Sequence, residues 1–287
     1  MIQTKALYPE AEYNWGMKIG VFDSGLGGLL IAHSLIQALP EYDYLYLGDT
    51  ARVPYGNRSQ EAIYEFTRQA VDYLFHHGCG LIIVACNTAS AEALRHIQQE
   101  YLPKQYPDRK VLGVLVPAVE AAIEATKNYR VGVLATRSTI ESKSFNREIT
   151  KRAPEVSVMT AAAPLLVPLV ENSGTQWAGP ILEAYLAPLQ EKNIDTLILG
   201  CTHYPYLKKQ IQAIVGPKVH LVSQDEVVPS KLAVYLHRHP EVSRKLSRDG
   251  RYEFHVTDLT PGAQELASTL FGQTINLHRV ANLATPV

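Results

Sequence analysis

Two cysteines stand in matching contexts. Cys86 closes the apolar run that begins at Leu81, and Cys201 follows the run Thr196 to Gly200. Each is trailed by polar groups, Asn87-Thr88 after the first and Thr202-His203 after the second. A thiol where a strand hands over to a helix meets free backbone N–H groups and the positive end of the helix dipole, and both stabilise its thiolate. One cysteine after a hydrophobic strand is usually just a small packed residue. Two in the same setting point instead to acid/base chemistry. His203 could orient or take a proton from Cys201, and Asp23 is the acid nearest to Cys86 if its strand lies next door. Cys79, between Gly78 and Gly80 at the start of a strand, is expected to be structural.

Thiols held apart around a ligand suit stereoinversion by two bases. One thiolate takes a proton from one face of a carbon, and the other thiol supplies a proton to the opposite face. An amino-acid α-proton is very weakly acidic, so the site must stabilise a carbanion through hydrogen bonds to the α-carboxylate and by excluding water. Donors for this stand at the strand ends: Ser24, Tyr55, Asn87, Thr88, Thr139 and Thr202. No cofactor is expected. Gly25, Gly27 and Gly28 do not form GxGxxG, Asp23 would repel a phosphate, and no phosphate-cradling Gly-x4-Gly-Lys-Ser/Thr sequence occurs. No metal is expected either, because the cysteines make no CxxC or Cys/His cluster. The nine histidines other than His203 read as solvated side chains on helices, and His33 as packing.

The elements that must position these groups alternate. Strand-like runs are expected at 18–22, 44–47, 81–85, 111–116, 130–135, 157–160, 196–200, 220–222 and 252–256. Helical spacing is expected at 28–39, 59–77, 89–101, 118–127, 139–152, 178–192, 206–214, 227–236 and 262–271. This rhythm predicts an α/β fold with mainly parallel sheets, most strands being too evenly apolar to have a wet face. A weak repeat divides it. Ile19-Gly-Val-Phe-Asp-Ser24 resembles Val131-Gly-Val-Leu-Ala-Thr136, 112 residues on (19 to 131), and the two cysteine segments lie 115 apart (86 to 201). The agreement of the offsets predicts two pseudo-symmetric lobes, each a sheet with helices on both faces and with one cysteine at a strand's carboxyl end. Residues 1–16, with Tyr8, Tyr13 and Trp15, read as an appended tail.

Composition bounds the rest. With 287 residues the chain can bury two α/β lobes. Lys+Arg 27 against Asp+Glu 28 leaves a formal charge of −1, which gives no electrostatic footprint for nucleic acid or an anionic membrane. No stretch approaches the roughly 18 apolar residues of a membrane span, and the start carries no apolar signal region. Three cysteines are too few for a disulfide framework, so reduced thiols and a cytoplasmic location are expected.

Taken together, VFDSGLGGL, GDTARVPYGNRS, VACNTASA and LGCTHYP resemble the pattern of the bacterial glutamate racemases in the aspartate/glutamate racemase superfamily, in the right order from about Met17 to Val256–Asp258. The resemblance implies a cofactor-independent enzyme that interconverts L- and D-glutamate and supplies D-glutamate for peptidoglycan. It implies Cys86 as the thiol serving the D enantiomer and Cys201 the L, with Asp23 and His203 assisting and Glu171 near the second cysteine. Substrate contacts are implied for Asp23-Ser24, Tyr55-Gly56, Asn87-Thr88 and Thr202-His203. It further implies that the active site lies in the cleft between the two lobes, the chain crossing between them near 112 and returning near 222. Residues 17–112 with 222–268 then form the lobe of Cys86, and 113–221 with 269–287 that of Cys201; a homodimer is the usual assembly. Two departures stand out, Ala135 where the family commonly has Gly and Phe145 where it has Tyr. Rivals are aspartate racemase, separated by one methylene; arylmalonate-type decarboxylation, which uses a single cysteine; and a non-catalytic two-lobe binder.

Overall fold

The computed structural model describes residues 16–280 and residue 283, so most of the expected tail lies outside the described residues. In chain order the strands are β1 (Lys18–Asp23), β2 (Tyr44–Gly48), β3 (Cys79–Val84), β4 (Lys110–Gly113), β5 (Arg130–Ala135), β6 (Ser157–Ala162), β7 (Thr196–Gly200), β8 (His220–Ser223), β9 (Tyr252–Val256) and β10 (Leu277–Arg279). They form two sheets, β10-β9-β2-β1-β3-β4 and β6-β5-β7-β8. Every pairing is parallel, so each strand must return through a crossover, and the intervening helices supply it. Strands β2, β3 and β7 are buried at every residue because helices cover both faces, as their unbroken apolar runs predicted.

The order β2-β1-β3-β4 recurs as β6-β5-β7-β8, four strands later. This is the structural form of the repeat: β1 and β5 are its first matched segments, and β3 and β7 carry Cys86 and Cys201 at their ends. The chain passes to the second sheet through the helix Leu115–Ala125 and leaves it through the helix Gln224–Arg238. Val228, Leu232 and Leu236 of the returning helix share one apolar cluster with Ile19 and Val21 of β1 and with Leu197 and Leu199 of β7, so the lobes have a common core.

Several boundaries differ from expectation. Residues 269–287 were expected with the lobe of Cys201, but β10 pairs with β9 at the edge of the first sheet, and Phe271 stacks edge-on against Phe254 at 4.9 Å. Residues 222 and 223 end β8 in the second sheet, and Gly113 ends β4 in the first, which moves the crossings by one or two positions. The run expected as a strand over 111–116 stops at Gly113. Leu115 and Val116 open a helix there, because Pro117 fits a first helical turn and not a buried strand. The helix expected over 139–152 is two, Arg137–Glu141 and Ser144–Arg152, parted at Lys143 with φ 55°. His220, His255 and His278 lie on strands, not helices. Among them His255 is part-buried, with Nδ1 2.9 Å from the Tyr73 hydroxyl, and burial pushes it down to about 4.

Candidate active site

The carboxyl ends of the central strands of both sheets meet. In the first sheet β1 pairs directly with β3, so Asp23 and Cys86 are neighbours. The Cys86 thiol donates to Ser24 Oγ at 3.3 Å and its sulfur accepts from the Ala89 amide at 3.5 Å, capping the helix Asn87–Glu92. Burial pushes that thiol up to about 12, with the negative charges of Asp23 and Cys201 adding to the effect and the Ser24 and Ala89 contacts opposing it. Cys86 therefore rests as a thiol. Burial also raises the carboxyl of Asp23, against the charge of His203 and the amides of Gly25 and Gly28. Asp23 is thus a readier proton acceptor than an exposed carboxylate.

In the second sheet Cys201 follows β7. Its sulfur lies 3.8 Å from His203 Nδ1, and His203 Nε2 lies 3.1 Å from Glu171 Oε1. Burial alone would lower the imidazole, but the hydrogen bonds to Cys201 and Glu171 outweigh it and hold His203 up at about 10. Near neutral pH an imidazolium therefore stands against Cys201. The two sulfurs are free rather than bridged. Cys79 is also free, fully buried at the opposite end of β3, and raised to about 12 by burial, which agrees with a packed residue.

Contacts between the lobes knit the two halves of the site together. Thr202 Oγ1 donates to Asp23 Oδ1 at 3.4 Å. Thr88 Oγ1 lies 3.0 Å from Thr136 Oγ1 and 3.2 Å from Thr139 Oγ1, and those two lie 2.9 Å apart, a triangle of hydroxyls spanning both sheets. At Gly27 the backbone comes so close that an added Cβ would stand 2.6 Å from His203 Cε1, His203 Nδ1 and Thr202 Oγ1. Gly56 meets the other lobe likewise, 3.0 Å from Thr136 Cβ on the same construction. Only 5% of Cys86 and 6% of Cys201 is exposed, so a reaction between them is shielded from water.

Behind this surface Tyr55 is buried, and its hydroxyl donates to Asp49 Oδ2 at 2.5 Å. The same carboxylate accepts from Arg52 Nε at 2.6 Å and, through Oδ1, from Thr257 at 2.9 Å. Asp49 thereby pins the loop that presents Tyr55 and Gly56. Of the residues expected at the site, Asp23, Ser24, Cys86, Cys201, Thr202 and His203 lie at or just after the ends of β1, β3 and β7, Tyr55 and Gly56 in a short turn, Asn87, Thr88 and Thr139 in the first turns of helices, and Glu171 at the end of the helix Leu166–Glu171. Sequence reasoning missed Thr136 as a site donor and Asp49 as an anchor. Thr136 was visible as the polar residue ending β5, in register with Ser24 of the repeat. Ala135 is buried at the end of β5, and Phe145 is buried against Gly200; neither is hydrogen-bonded to a thiol. Among the described residues no group of three His, Cys, Asp or Glu could hold a metal ion. No helix among them is long and apolar enough to cross a membrane.

Comparison with known proteins bears on this geometry. Residues 30–226 match the family model described as Asp/Glu/Hydantoin racemase. A glutamate racemase of Geobacter metallireducens is 40% identical over 257 residues, 88% of this chain and 92% of that protein. Among solved structures, a glutamate racemase of Bacillus anthracis superposes with a TM-score of 0.86 at 32% identity, covering 94% of this chain and 99% of that one. A glutamate racemase of Francisella tularensis in complex with D-glutamate superposes with a TM-score of 0.84 at 31% identity, covering 94% and 98%.

Proposed function

Since the chain belongs to the Asp/Glu/hydantoin racemase family, and within it to the glutamate racemases, we propose that it interconverts L- and D-glutamate with Cys86 and Cys201 as its two acid/base groups. The observation that carries this reading is the pair of unbridged thiols, one at the end of a central strand in each sheet, with Asp23 and Thr202 bonded across the gap. In the L to D direction the Cys201 thiolate, facing the His203 imidazolium, takes the α-proton. The electron pair left on the α-carbon is delocalised into the carboxylate, and Cys86, resting as a thiol, returns a proton to the other face. The enzyme then holds a Cys201 thiol and a Cys86 thiolate. Asp23 assists the reverse direction by accepting the Cys86 proton. Ser24, Asn87, Thr88, Thr139 and Thr202, with the Tyr55-Gly56 loop, bind the carboxylates and ammonium, and their donors stabilise charge that grows on the carboxylate in the transition state.

The product is a D-amino acid of the kind built into peptidoglycan. Three free thiols support a reducing, cytoplasmic setting, and the resemblance to the racemases supports a homodimer, which light scattering would read as twice the chain mass. Circular dichroism of each glutamate enantiomer, with α-proton exchange in deuterated water, tests the reaction. Wild type should lose both optical signals and incorporate deuterium from either enantiomer. Cys86→Ala and Cys201→Ala should each abolish racemisation while retaining exchange on one face at most. Normal turnover by either variant would refute the two-thiol chemistry, and faster loss of the aspartate signal would overturn the substrate.

A further inference from the structure

Gln224 opens the helix that carries the chain back from the second sheet, and it is 1% exposed. Its Nε2 donates to Asn87 Oδ1 at 2.7 Å, a buried contact between residues 137 positions apart. Asn87 follows Cys86 and is itself 2% exposed. Two atoms of this pair, Asn87 Nδ2 and Gln224 Oε1, are buried with no hydrogen-bond partner among the described residues. An amide has one acceptor end and one donor end, and a buried donor left unpaired is unfavourable until an acceptor meets it. With its carbonyl committed to Gln224, Asn87 has only its NH2 group to offer, next to the thiol that faces the substrate.

We infer that Gln224 is a positioning residue for the reaction: by holding the Asn87 carbonyl it keeps the Asn87 NH2 turned toward the bound amino acid, as a donor to a substrate carboxylate. This rests on the glutamate racemase reading and adds a residue that touches no substrate atom. A side chain free to rotate would present carbonyl as often as amine, and a carbonyl oxygen opposite a carboxylate repels it. The group acts on substrate binding rather than on proton transfer, because neither amide lies between a thiol and the α-carbon in the two-base scheme. Its position at the start of the returning helix also makes the orientation of Asn87 depend on how that helix sits against the first lobe.

The test is a double-mutant cycle with Gln224→Met, which keeps length and removes the hydrogen bond, and Asn87→Ala. The readouts are KM and kcat for glutamate, with thermal denaturation alongside. Gln224→Met should raise KM about 10-fold with kcat within about 3-fold, the pattern of lost binding common to ground and transition states. On the Asn87→Ala background the same change should add less than about 2-fold, because its route to the substrate is gone. A merely structural glutamine would lower the melting temperature and act equally on both backgrounds. Gln224→Ser, too short to reach Asn87 but still polar, should reproduce the KM rise if the methionine variant does not fold. An unchanged KM, or an effect of equal size with and without Asn87, overturns the inference. A wild-type chain inert toward glutamate overturns the functional reading and this one together; an active wild type beside an unaffected Gln224→Met overturns this one alone.

Discussion

Gly27→Ala is the sharpest test of how the lobes meet. The added methyl carbon would stand 2.6 Å from two atoms of the His203 ring and from Thr202 Oγ1, whereas carbon contacts settle at about 3.5 Å or more. Relief therefore requires a shift of roughly 0.9 Å. The ring cannot simply swing aside, because it is buried between Cys201 and Glu171 and held by both. Either His203 moves off Cys201 or the lobes part. Misplacement of a catalytic group by about 1 Å costs on the order of 100-fold in rate. We expect kcat/KM to fall by about that factor, followed by circular dichroism of either enantiomer. Deuterium exchange should decline more from L-glutamate, the enantiomer proposed for Cys201, than from D-glutamate. The folded state should survive, since Gly27 lies in a loop between β1 and the helix Leu29–Ala38 and needs no positive φ. A Gly27→Ala enzyme with wild-type kcat/KM would show that the two lobes do not meet this closely during turnover, and the argument from shielding would fail with it.

Two further outcomes are expected. Glu171→Gln removes one of the two partners that raise His203, so the alkaline limb of the pH profile of kcat/KM should move to lower pH. Because His203 is raised from 6.5 to about 10, the stability it contributes is full below 6.5 and lost between about 6.5 and 10; that window should narrow in the variant, as urea titrations across pH would record. An unmoved limb would show that Glu171 does not tune the imidazole. Phe145→Ala deletes a ring that is 2% exposed, and urea unfolding should show a loss of about 3–5 kcal/mol with KM nearly unchanged; a large KM effect would place that ring at the substrate after all.

The strands and thiols were legible because their signals are local. An apolar run of five or six residues ending in a polar cluster reads the same in the chain as in the sheet, and both cysteines sit at such ends. Asp23 beside Cys86 depended on β1 and β3 being adjacent, which the sequence could pose only as a condition. Strand β10 escaped notice because only Leu277 of its three residues is buried, leaving no run to see. The helix at Leu115 was hidden by a different ambiguity: the three aliphatics Val114 to Val116 fit a buried strand and a buried helix equally, and only the place of Pro117 in a first helical turn separates the two. Thr136 showed in the sequence as the polar residue after β5, but the contacts that give Asp49, Thr136 and Gln224 their roles did not. Their partners Thr257, Thr88 and Asn87 lie 208, 48 and 137 residues away, and such pairs exist only once both sheets are assembled.

The strand order shared by the two sheets bears on the energetics of catalysis. Enantiomers are equal in free energy, so kcat/KM must be the same in both directions, and no substitution can change that. Two half-copies with the same strand order, each carrying one cysteine at the end of the matching strand, give the two hands of the amino acid in the proposed reaction comparable halves of the site. What breaks the likeness is the unlike company of those sulfurs, a carboxyl beside one and an imidazole beside the other. That difference can divide kcat from KM unequally between the two hands, so the enzyme can saturate with one enantiomer sooner than with the other while the equilibrium stays fixed at parity.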